Sequence, residues 1–380
     1  MTAVQSQPAR TALQSTLADF ATPLLYNHWY VACLKNDLTD RLIERTFLNR
    51  SVVMYRTAEG KPVALQNRCA HRSFPLSESW LEQDGIRCRY HGAKYNHNGE
   101  MTDVPCQDVC PQVKLRTYPL FEVGPLVWIW MGDPEGIDWS RLPEMPWMIP
   151  ENGWELAAGS TSVDGNYLLM MENLMDLSHI PYLHRDTFNF PPSYARIPVQ
   201  LETNGNRLRY FRTAIANYHR SGFFPSDLAA RFDGRSYDAS SGGEFVAPGM
   251  MFGHGEIRLK DALPGEQVEY LSRIPHFVTP KTQHTSHYWF FHSRNFSRED
   301  HEFTLRLAKV LEKGFSEDKT AIAWMQELQL RDGHSYREIH YGTDKPTVTL
   351  RRIVKRLADE EYGSAVASQK AYTSGNNRVA

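Results

Sequence analysis

Cys69-Ala70-His71 and Cys88-Arg89-Tyr90-His91 decide how this chain is read: two Cys/His pairs with sixteen residues between His71 and Cys88. Each pair puts one thiolate and one imidazole on a short loop, and the connecting segment is short enough for both loops to belong to one small domain. Close Cys and His pairs also build tetrahedral zinc sites, the commoner use of such ligands. Zinc sites usually space paired cysteines by about two to four residues. Here each pair is mixed, C-x-H and then C-x2-H. That order suits an iron-sulfur cluster whose two irons differ, one held by thiolates and one by imidazoles. Neutral nitrogen ligands raise the potential of such a cluster above that of an all-cysteine one, so the chain is expected to handle single electrons.

A length of 380 residues is long for one domain and comfortable for two. Apolar residues at 41% and charged residues at 23% are those of an ordinary globular protein. Lys and Arg number 42 against 44 Asp and Glu, a net charge of -2, so no basic footprint points to nucleic acid or an anionic membrane. No stretch is apolar enough to span a bilayer, and Met1 to Leu24 lacks the parts of a signal peptide, so a cytoplasmic protein without membrane partners is expected. Of five cysteines, Cys33, Cys106 and Cys110 remain after the cluster pairs, and they are read as free thiols.

Residues 1–24 read as an N-terminal arm, free or docked on a neighbouring subunit. From Trp29 to Pro134, β-rich runs such as Ser51-Val52-Val53-Met54-Tyr55-Arg56 and Leu126-Val127-Trp128-Ile129-Trp130 are broken by Gly, Asn and Asp, which predicts an all-β domain over 25–135. Gly132 to Pro150 reads as a linker. A second domain over 136–362 has aromatic strands such as His287-Tyr288-Trp289-Phe290-Phe291, followed by a helix over Glu302 to Leu330 and another over Thr347 to Glu361. The class is therefore α+β. Residues 363–380 read as a disordered tail, and Arg220 to Phe245 as a long loop placed to serve as a lid.

A second set of ligands lies in Asn173-Leu174-Met175-Asp176-Leu177-Ser178-His179-Ile180-Pro181-Tyr182-Leu183-His184. On a helix, Asn173, Asp176 and His179 fall three apart and share a face. Pro181 is expected to bend the chain so that His184 returns beside His179. Two imidazoles and one carboxylate on one side of an ion, with the other side open, is how non-heme Fe(II) oxygenases hold iron. Asp176 can be considered as that carboxylate but is better placed to bond an imidazole N–H and fix its tautomer. No Gly-x-Gly-x-x-Gly follows a strand and no four-cysteine ferredoxin set is present, so electrons must come from a separate reductase. Pocket walls are expected from the aromatic-rich Phe188 to Phe296, with His254, Asn217 or Arg273 as polar anchors.

The runs Cys69 to Ser77 and Cys88 to Tyr95, with Asn27-His28-Trp29-Tyr30-Val31-Ala32, resemble the cluster loops of Rieske non-heme iron oxygenases. Ala70 stands where proline is frequent in that family and Ala93 where many members carry a larger side chain; neither position supplies a ligand. Asn173, Asp176, His179 and His184 match the family's Asn-x-x-Asp-x-x-His-x4-His pattern, and Phe315-Ser316-Glu317-Asp318-Lys319 matches its aromatic-x-Glu-Asp pattern.

By this resemblance Cys69, His71, Cys88 and His91 hold a Rieske [2Fe-2S] cluster, and His179, His184 and Asp318 hold a mononuclear Fe(II). Glu317 competes with Asp318 as third ligand, while Glu312 and Asp332 read as solvated helix charges. Asp176, with Asn173 beside it, carries electrons from a neighbouring subunit's cluster. The resemblance is nearest to the vanillate O-demethylase and dicamba monooxygenase branch. It implies an N-terminal Rieske domain, a helix-grip (START-like) catalytic domain with an antiparallel sheet and a long C-terminal helix, and a homotrimer. The implied function is the oxygenase component of a multicomponent monooxygenase. It would hydroxylate or O-demethylate an aromatic, carboxylated substrate with O2 and electrons from an NAD(P)H-dependent reductase of flavin or ferredoxin type. Ring cis-dihydroxylation uses the same centres and is the alternative enzyme; an electron carrier with a non-catalytic binding domain is the alternative outside catalysis.

Overall fold

The computed structural model describes residues 16–213, 224–333 and 338–375. Among them, ten short strands come first: β1 (Trp29–Leu34), β2 (Ile43–Phe47), β3 (Arg50–Arg56), β4 (Pro62–Gln66) and β5 (Trp80–Glu82), then β6 (Gly85–Arg87), β7 (Lys94–Asn96), β8 (Met101–Asp103), β9 (Leu120–Val123) and β10 (Leu126–Trp130). They pair antiparallel in the orders β1-β10-β9, β2-β3-β4 and β5-β6-β7-β8.

The chain continues through β11 (Glu155–Val163), α1 (Tyr167–Met175), α2 (Ile180–Leu183), β12 (Gln200–Asn204), β13 (Arg207–Thr213), α3 (Ser226–Arg231), β14 (Tyr237–Val246), β15 (Met250–Leu259), β16 (Glu269–Pro280) and β17 (Ser286–Arg294). Two long helices follow, α4 (His301–Asp332) and α5 (Lys345–Gly375). The later strands form a seven-stranded antiparallel sheet in the order β11-β17-β16-β15-β14-β13-β12. Helix α4 packs on β11 and α1, and α5 packs on α1 and β13, the helix-grip arrangement.

Several strands bury both faces, β3, β10 and β17 among them, because the two-residue period of a strand sends alternate side chains to different cores. In β3, Val52 and Met54 join the large core while Val53 and Tyr55 join the core around Cys69 and Cys88. In β10, Val127 and Ile129 face the large core while Leu126, Trp128 and Trp130 face a cluster shared with Phe252, Phe277 and Phe291. In β17, Tyr288 and Phe290 point one way, Trp289 and Phe291 the other. The two halves therefore share packed apolar surface. Polar contacts add to it. The β2–β3 turn at Leu48-Asn49 has positive φ at both residues (49° and 62°), and its two N–H groups donate to the carbonyls of Pro280 (2.9 Å) and Lys281 (2.8 Å).

Several expectations need correction. The stretch Gly132 to Pro150 is not a loose linker: it is a chain of 3-10 turns with Met145 and Met148 buried in the aromatic cluster. Most of the expected lid is regular structure, α3 and β14. The poor strand formers Ala239-Ser240-Ser241-Gly242-Gly243 of β14 are held because β13 and β15 hydrogen-bond it on both sides, a case of tertiary pairing overriding propensity. Residues 220–223 of that stretch lie outside the described residues. Helix α5 runs past Glu361 to Gly375 where a disordered tail was expected; the Ala-rich sequence there has no strong breaker after Gly363. The last five residues, like 1–15 of the arm, lie outside the described residues. What is described of the arm docks on its own chain, with Ala18 N–H donating to Arg351 O (3.1 Å) and Arg351 Nε donating back to Ala18 O (2.6 Å). No helix among the described residues is long and apolar enough to cross a membrane.

Candidate metal centres

The loops carrying Cys69 and Cys88 close with the same hydrogen bonds. Cys69 N–H donates to Phe74 O and Ser73 N–H to Cys69 O; Cys88 N–H donates to Ala93 O and Gly92 N–H to Cys88 O. The fifth residue of each loop is left-handed, Ser73 at φ 60° and Gly92 at φ 79°. This common closure buries the two thiols, 3% and 1% exposed, and leaves the imidazoles of His71 and His91 at the surface. The two rings lie 4.6 Å apart between centroids at 67°. Burial, with Cys69 beside it, raises the Cys88 thiol, a shift that a bound metal reverses because it takes the thiolate. Tyr95, inward-facing on β7, lies with Oη 3.3 Å from Cys69 Sγ and accepts Ala70 N–H at 3.1 Å. Hydrogen bonds to the sulfurs are one way a protein sets a cluster's potential. Two buried sulfurs and two exposed nitrogens from paired loops fit a mixed-ligand [2Fe-2S] cluster.

The second centre is built from α1, the segment after it, and α4. Asn166 starts α1 by accepting Leu168 N–H (2.8 Å), and its own N–H goes to Gln326 Oε1 on α4 (2.7 Å), which fixes the two helices together. The break in the chain comes at Asp176 and not at Pro181. Asp176 turns extended, and its Oδ1 accepts Ser178 N–H (2.9 Å) to start a 3-10 turn over Leu177–His179. Pro181 instead occupies the first turn of α2, where its missing N–H costs nothing. Asn173, Asp176 and His179 therefore do not share one helix, yet His179 and His184 still converge.

Along α4 the buried positions Phe303, Leu307, Leu311, Phe315, Asp318, Ile322 and Gln326 form one stripe, so Asp318 faces the core, 1% exposed. Gly314 lies in this stripe without interrupting the helix; a Cβ there would overlap the Phe188 ring. Asp318 Oδ1 lies 3.1 Å from His184 Nε2 and 3.5 Å from His179 Nε2, and the two Nε2 atoms are 3.3 Å apart. Two neighbouring ligands at right angles, each about 2.1 Å from one ion, would be about 3 Å apart, close to all three edges.

Each imidazole is turned by a bond at its far nitrogen. His179 Nδ1–H donates to the main-chain carbonyl of Asp176 (2.5 Å), not to its carboxylate as expected. His184 Nδ1–H donates to Glu317 Oε2 (2.7 Å), whose other oxygen accepts the Thr187 hydroxyl (2.6 Å). Both Nε2 lone pairs are thus aimed at Asp318, an all-acceptor cluster that calls for a cation. Burial lowers the pKa of His179 against the pull of Asp318; burial also opposes protonation of His184, but the Asp318 and Glu317 carboxylates outweigh it and raise that pKa, so a proton on Nε2 competes with a cation for the place between this ring and Asp318. Asn173 Nδ2 donates to Asp318 Oδ1 (2.7 Å), and its own Oδ1 is buried with no protein partner among the described residues. His179, His184 and Asp318 are the one described trio that could hold a metal ion in this way.

Sequence reasoning missed what Glu317 does. One residue before Asp318, it lies about 100° round the helix and reaches the back of His184 while its neighbour faces the front. Behind the trio opens a cavity of about 640 Å³, its mouth included, walled by Phe188, Phe190, Met251, Ile274 and Phe315. His254 reaches this wall as expected. Arg273 does not line it and is paired with Glu256 (2.9 Å); Asn217 lies outside the described residues.

A cluster domain joined to a two-histidine, one-carboxylate centre under an apolar cavity defines a class of O2-using iron enzymes. The Rieske [2Fe-2S] domain model matches residues 28–119, and that of the vanillate O-demethylase oxygenase C-terminal domain matches 163–360. The chain is 33% identical over 313 residues to the toluene-4-sulfonate monooxygenase system iron-sulfur subunit TsaM1 of Comamonas testosteroni, covering 78% of this chain and 86% of that one. It is 29% identical over 345 residues to the oxygenase component of dicamba O-demethylase of Stenotrophomonas maltophilia, covering 88% and 98%. The crystal structure of dicamba monooxygenase bound to dicamba superposes with a TM-score of 0.79 at 27% identity, covering 90% of this chain and 99% of that one. The chain belongs to the Rieske non-heme iron oxygenases, in the branch of the vanillate O-demethylase and dicamba monooxygenase oxygenase components.

Proposed function

We propose that this chain is the oxygenase component that hydroxylates the methyl group of an aromatic substrate, O-demethylating it where that group is an ether. In this reading it draws electrons from a separate NAD(P)H-dependent reductase and works as a cytoplasmic homotrimer. The observation that carries it is the triangle of His179, His184 and Asp318 at the end of a cavity walled by apolar and aromatic side chains. Cys69, His71, Cys88 and His91 would hold the Rieske cluster, and His179, His184 and Asp318 the mononuclear iron. When bound, these groups store electrons and reduce O2, so that one oxygen atom enters substrate and the other leaves as water.

The protein's own part is positioning. The Asp176 carbonyl and the Glu317 carboxylate keep both imidazoles turned with Nε2 forward, and Asn173 steadies Asp318. The aromatic walls exclude water and stack the ring. No Lys or Arg lines the cavity among the described residues, so a substrate carboxylate would be met by neutral donors such as His254 and Ser241. Asp176 uses one carboxylate oxygen on Ser178 N–H, while the other has no partner among the described residues. Exposed Tyr182 and Leu183 stand near it in sequence, and exposed Tyr90 packs on His91 at the cluster. These features support an electron path from a neighbouring copy's cluster through Asp176.

Iron analysis and single-turnover labelling test the proposal. About three irons per chain are expected, from the two-iron cluster plus one, falling to about two in Asp318→Ala with the cluster signal kept; about two in the wild type would favour an electron carrier. Pre-reduced protein given 18O2 and 4-methoxybenzoate should yield labelled formaldehyde and an unlabelled phenol. A ring diol carrying both labelled atoms would overturn the monooxygenase reading.

A further inference from the structure

Strand β13 carries three arginines, and one of them faces inward. Arg207 and Arg209 share Glu244, at 3.2 and 3.4 Å. Arg212 instead falls in step with Leu208 and Tyr210 on the buried face, 2% exposed. Its Nη1 donates to Tyr194 O (3.1 Å), and its guanidinium lies 5.1 Å from the centre of the Tyr194 ring. Nε is sealed without a hydrogen-bond partner, and no carboxylate pairs with the group among the described residues. Arg294, equally buried, has the carboxylates of Glu155 and Asp300 in range. A buried arginine is almost always paired, because a charge taken out of water is compensated only by an opposite one. Arg212 therefore lacks its anion.

The place of that anion follows from the strand register. Arg212 stands directly across from Ser241 in the β13–β14 ladder, so the two side chains leave the same face of the sheet. Ser241 and Tyr194 both line the cavity, their hydroxyl oxygens 3.5 Å apart. Burial holds the Tyr194 phenol above its ordinary value against the pull of Arg212, so it keeps a hydrogen to donate. The metal trio is at the other end: Phe315, three residues before Asp318, packs on His276 of β16 at 5.3 Å. In the sheet β13 is three strands from β16, about 14 Å at the usual spacing.

We propose that the β13 end of the cavity is an anion subsite: the Tyr194 and Ser241 hydroxyls donate to a carboxylate or sulfonate of the aromatic substrate, and Arg212 behind them supplies the opposite charge. The planar guanidinium suits either oxyanion. A ring bearing its methyl ether and its acid group para to each other reaches both ends of the cavity at once. This rests on the oxygenase reading and deepens it, since it names the feature of the substrate by which the site places the methyl at the trio.

Calorimetry on full-length, metal-loaded protein tests it with 4-methoxybenzoate, 4-methoxybenzenesulfonate and the neutral 4-methoxybenzamide, with iron content and the reduced cluster's EPR recorded for every variant. The wild type should bind one or both anions about tenfold to a hundredfold more tightly than the amide, the benzoate or the sulfonate arm showing which oxyanion is taken. Arg212→Met should remove that preference by weakening the anions with little change for the amide, Arg212→Lys should keep part of it, and Ser241→Ala should reduce it. A preference that survives in Arg212→Met, or is absent from the wild type, overturns the proposal. Should Arg212→Met lose its iron or cluster signal, Ser241→Ala decides instead, and an unreduced preference there overturns it. Failure of the wild type to bind any of the three compounds would overturn the subsite together with the aromatic reading, whereas an anion preference without product formation would leave the subsite standing and overturn only the oxygenase assignment.

Discussion

Glu317 accepts the Nδ1–H of His184 at 2.7 Å while the next residue in α4, Asp318, lies 3.1 Å from the Nε2 of the same ring. Adjacent carboxylates on one helix thus hold both ends of one imidazole, and Thr187 in turn fixes Glu317. Outer partners of this kind usually contribute about 10- to 100-fold to metal affinity. Glu317→Ala should weaken Fe(II) binding at the mononuclear site by that order, and Glu317→Gln, which keeps an acceptor oxygen, by less. Equilibrium dialysis of metal-depleted protein against Fe(II) measures it; equal affinities in all three proteins would mean the bond does not orient the ring.

Asp176→Asn tests the proposed electron path apart from the capping bond of the same side chain. The amide oxygen can still accept Ser178 N–H, and the main-chain carbonyl that turns His179 is untouched, so both metals should stay. What is lost is the negative charge open to a neighbouring imidazole. Stopped-flow mixing of the reduced variant with O2 and substrate should show a cluster that reoxidises far more slowly than in the wild type. Normal reoxidation would remove Asp176 from the electron path.

Tyr95→Phe removes the hydroxyl 3.3 Å from Cys69 Sγ. A hydrogen bond worth about 1 kcal/mol to the reduced, more negative sulfur corresponds to about 40 mV for one electron. The cluster potential should fall by roughly that amount, as read by redox titration of the Rieske absorbance. A potential that stays put or rises would show that the phenol does not donate to the sulfur.

Stability should fall as the medium becomes mildly acidic. Burial, aided by Arg141, whose Nη1 donates to Nε2 at 2.9 Å, lowers His28 to about 3. Burial also lowers His276 to about 3 and His287 to about 4. Their unfolded values lie near about 6.5, so on acidification the unfolded chain takes up protons first. The stability these neutral rings contribute is present above about pH 6.5 and is lost as pH falls toward their folded values. The expected slope is about 1.4 kcal/mol per pH unit for each ring in the lower part of that window. Urea midpoints between about pH 7 and 5 read it, and His28→Gln should make the dependence shallower by one proton; an unchanged slope would show that His28 is not the group titrating.

What could be read from the sequence is what depends on local chemistry. Cys69, His71, Cys88 and His91 declare their chemistry by residue type and spacing, since one thiolate and one imidazole on each of two loops suit a cluster whose two irons take different ligands. Asp318 is legible as a family position, and the stripe from Phe303 to Gln326 points to it independently, because a carboxylate in an apolar stripe has to be paired. β14 is not legible: Ser240-Ser241-Gly242-Gly243 has no apolar alternation, and it becomes a strand through partners far along the chain. The break at Asp176 is hidden for a different reason. Pro181 is the louder signal, yet a proline suits the first turn of a helix, and an aspartate's capping bond ends α1 earlier.

The Leu48-Asn49 turn, hooked onto the end of β16, has a practical consequence for protein engineering. A chimera that brought the cluster-bearing half to a foreign partner would have to reproduce a left-handed dipeptide, two carbonyls waiting for it, and an indole-lined seam, all in register. The electron-handling half of this enzyme is therefore not a portable cartridge, and heat should melt both halves in a single step.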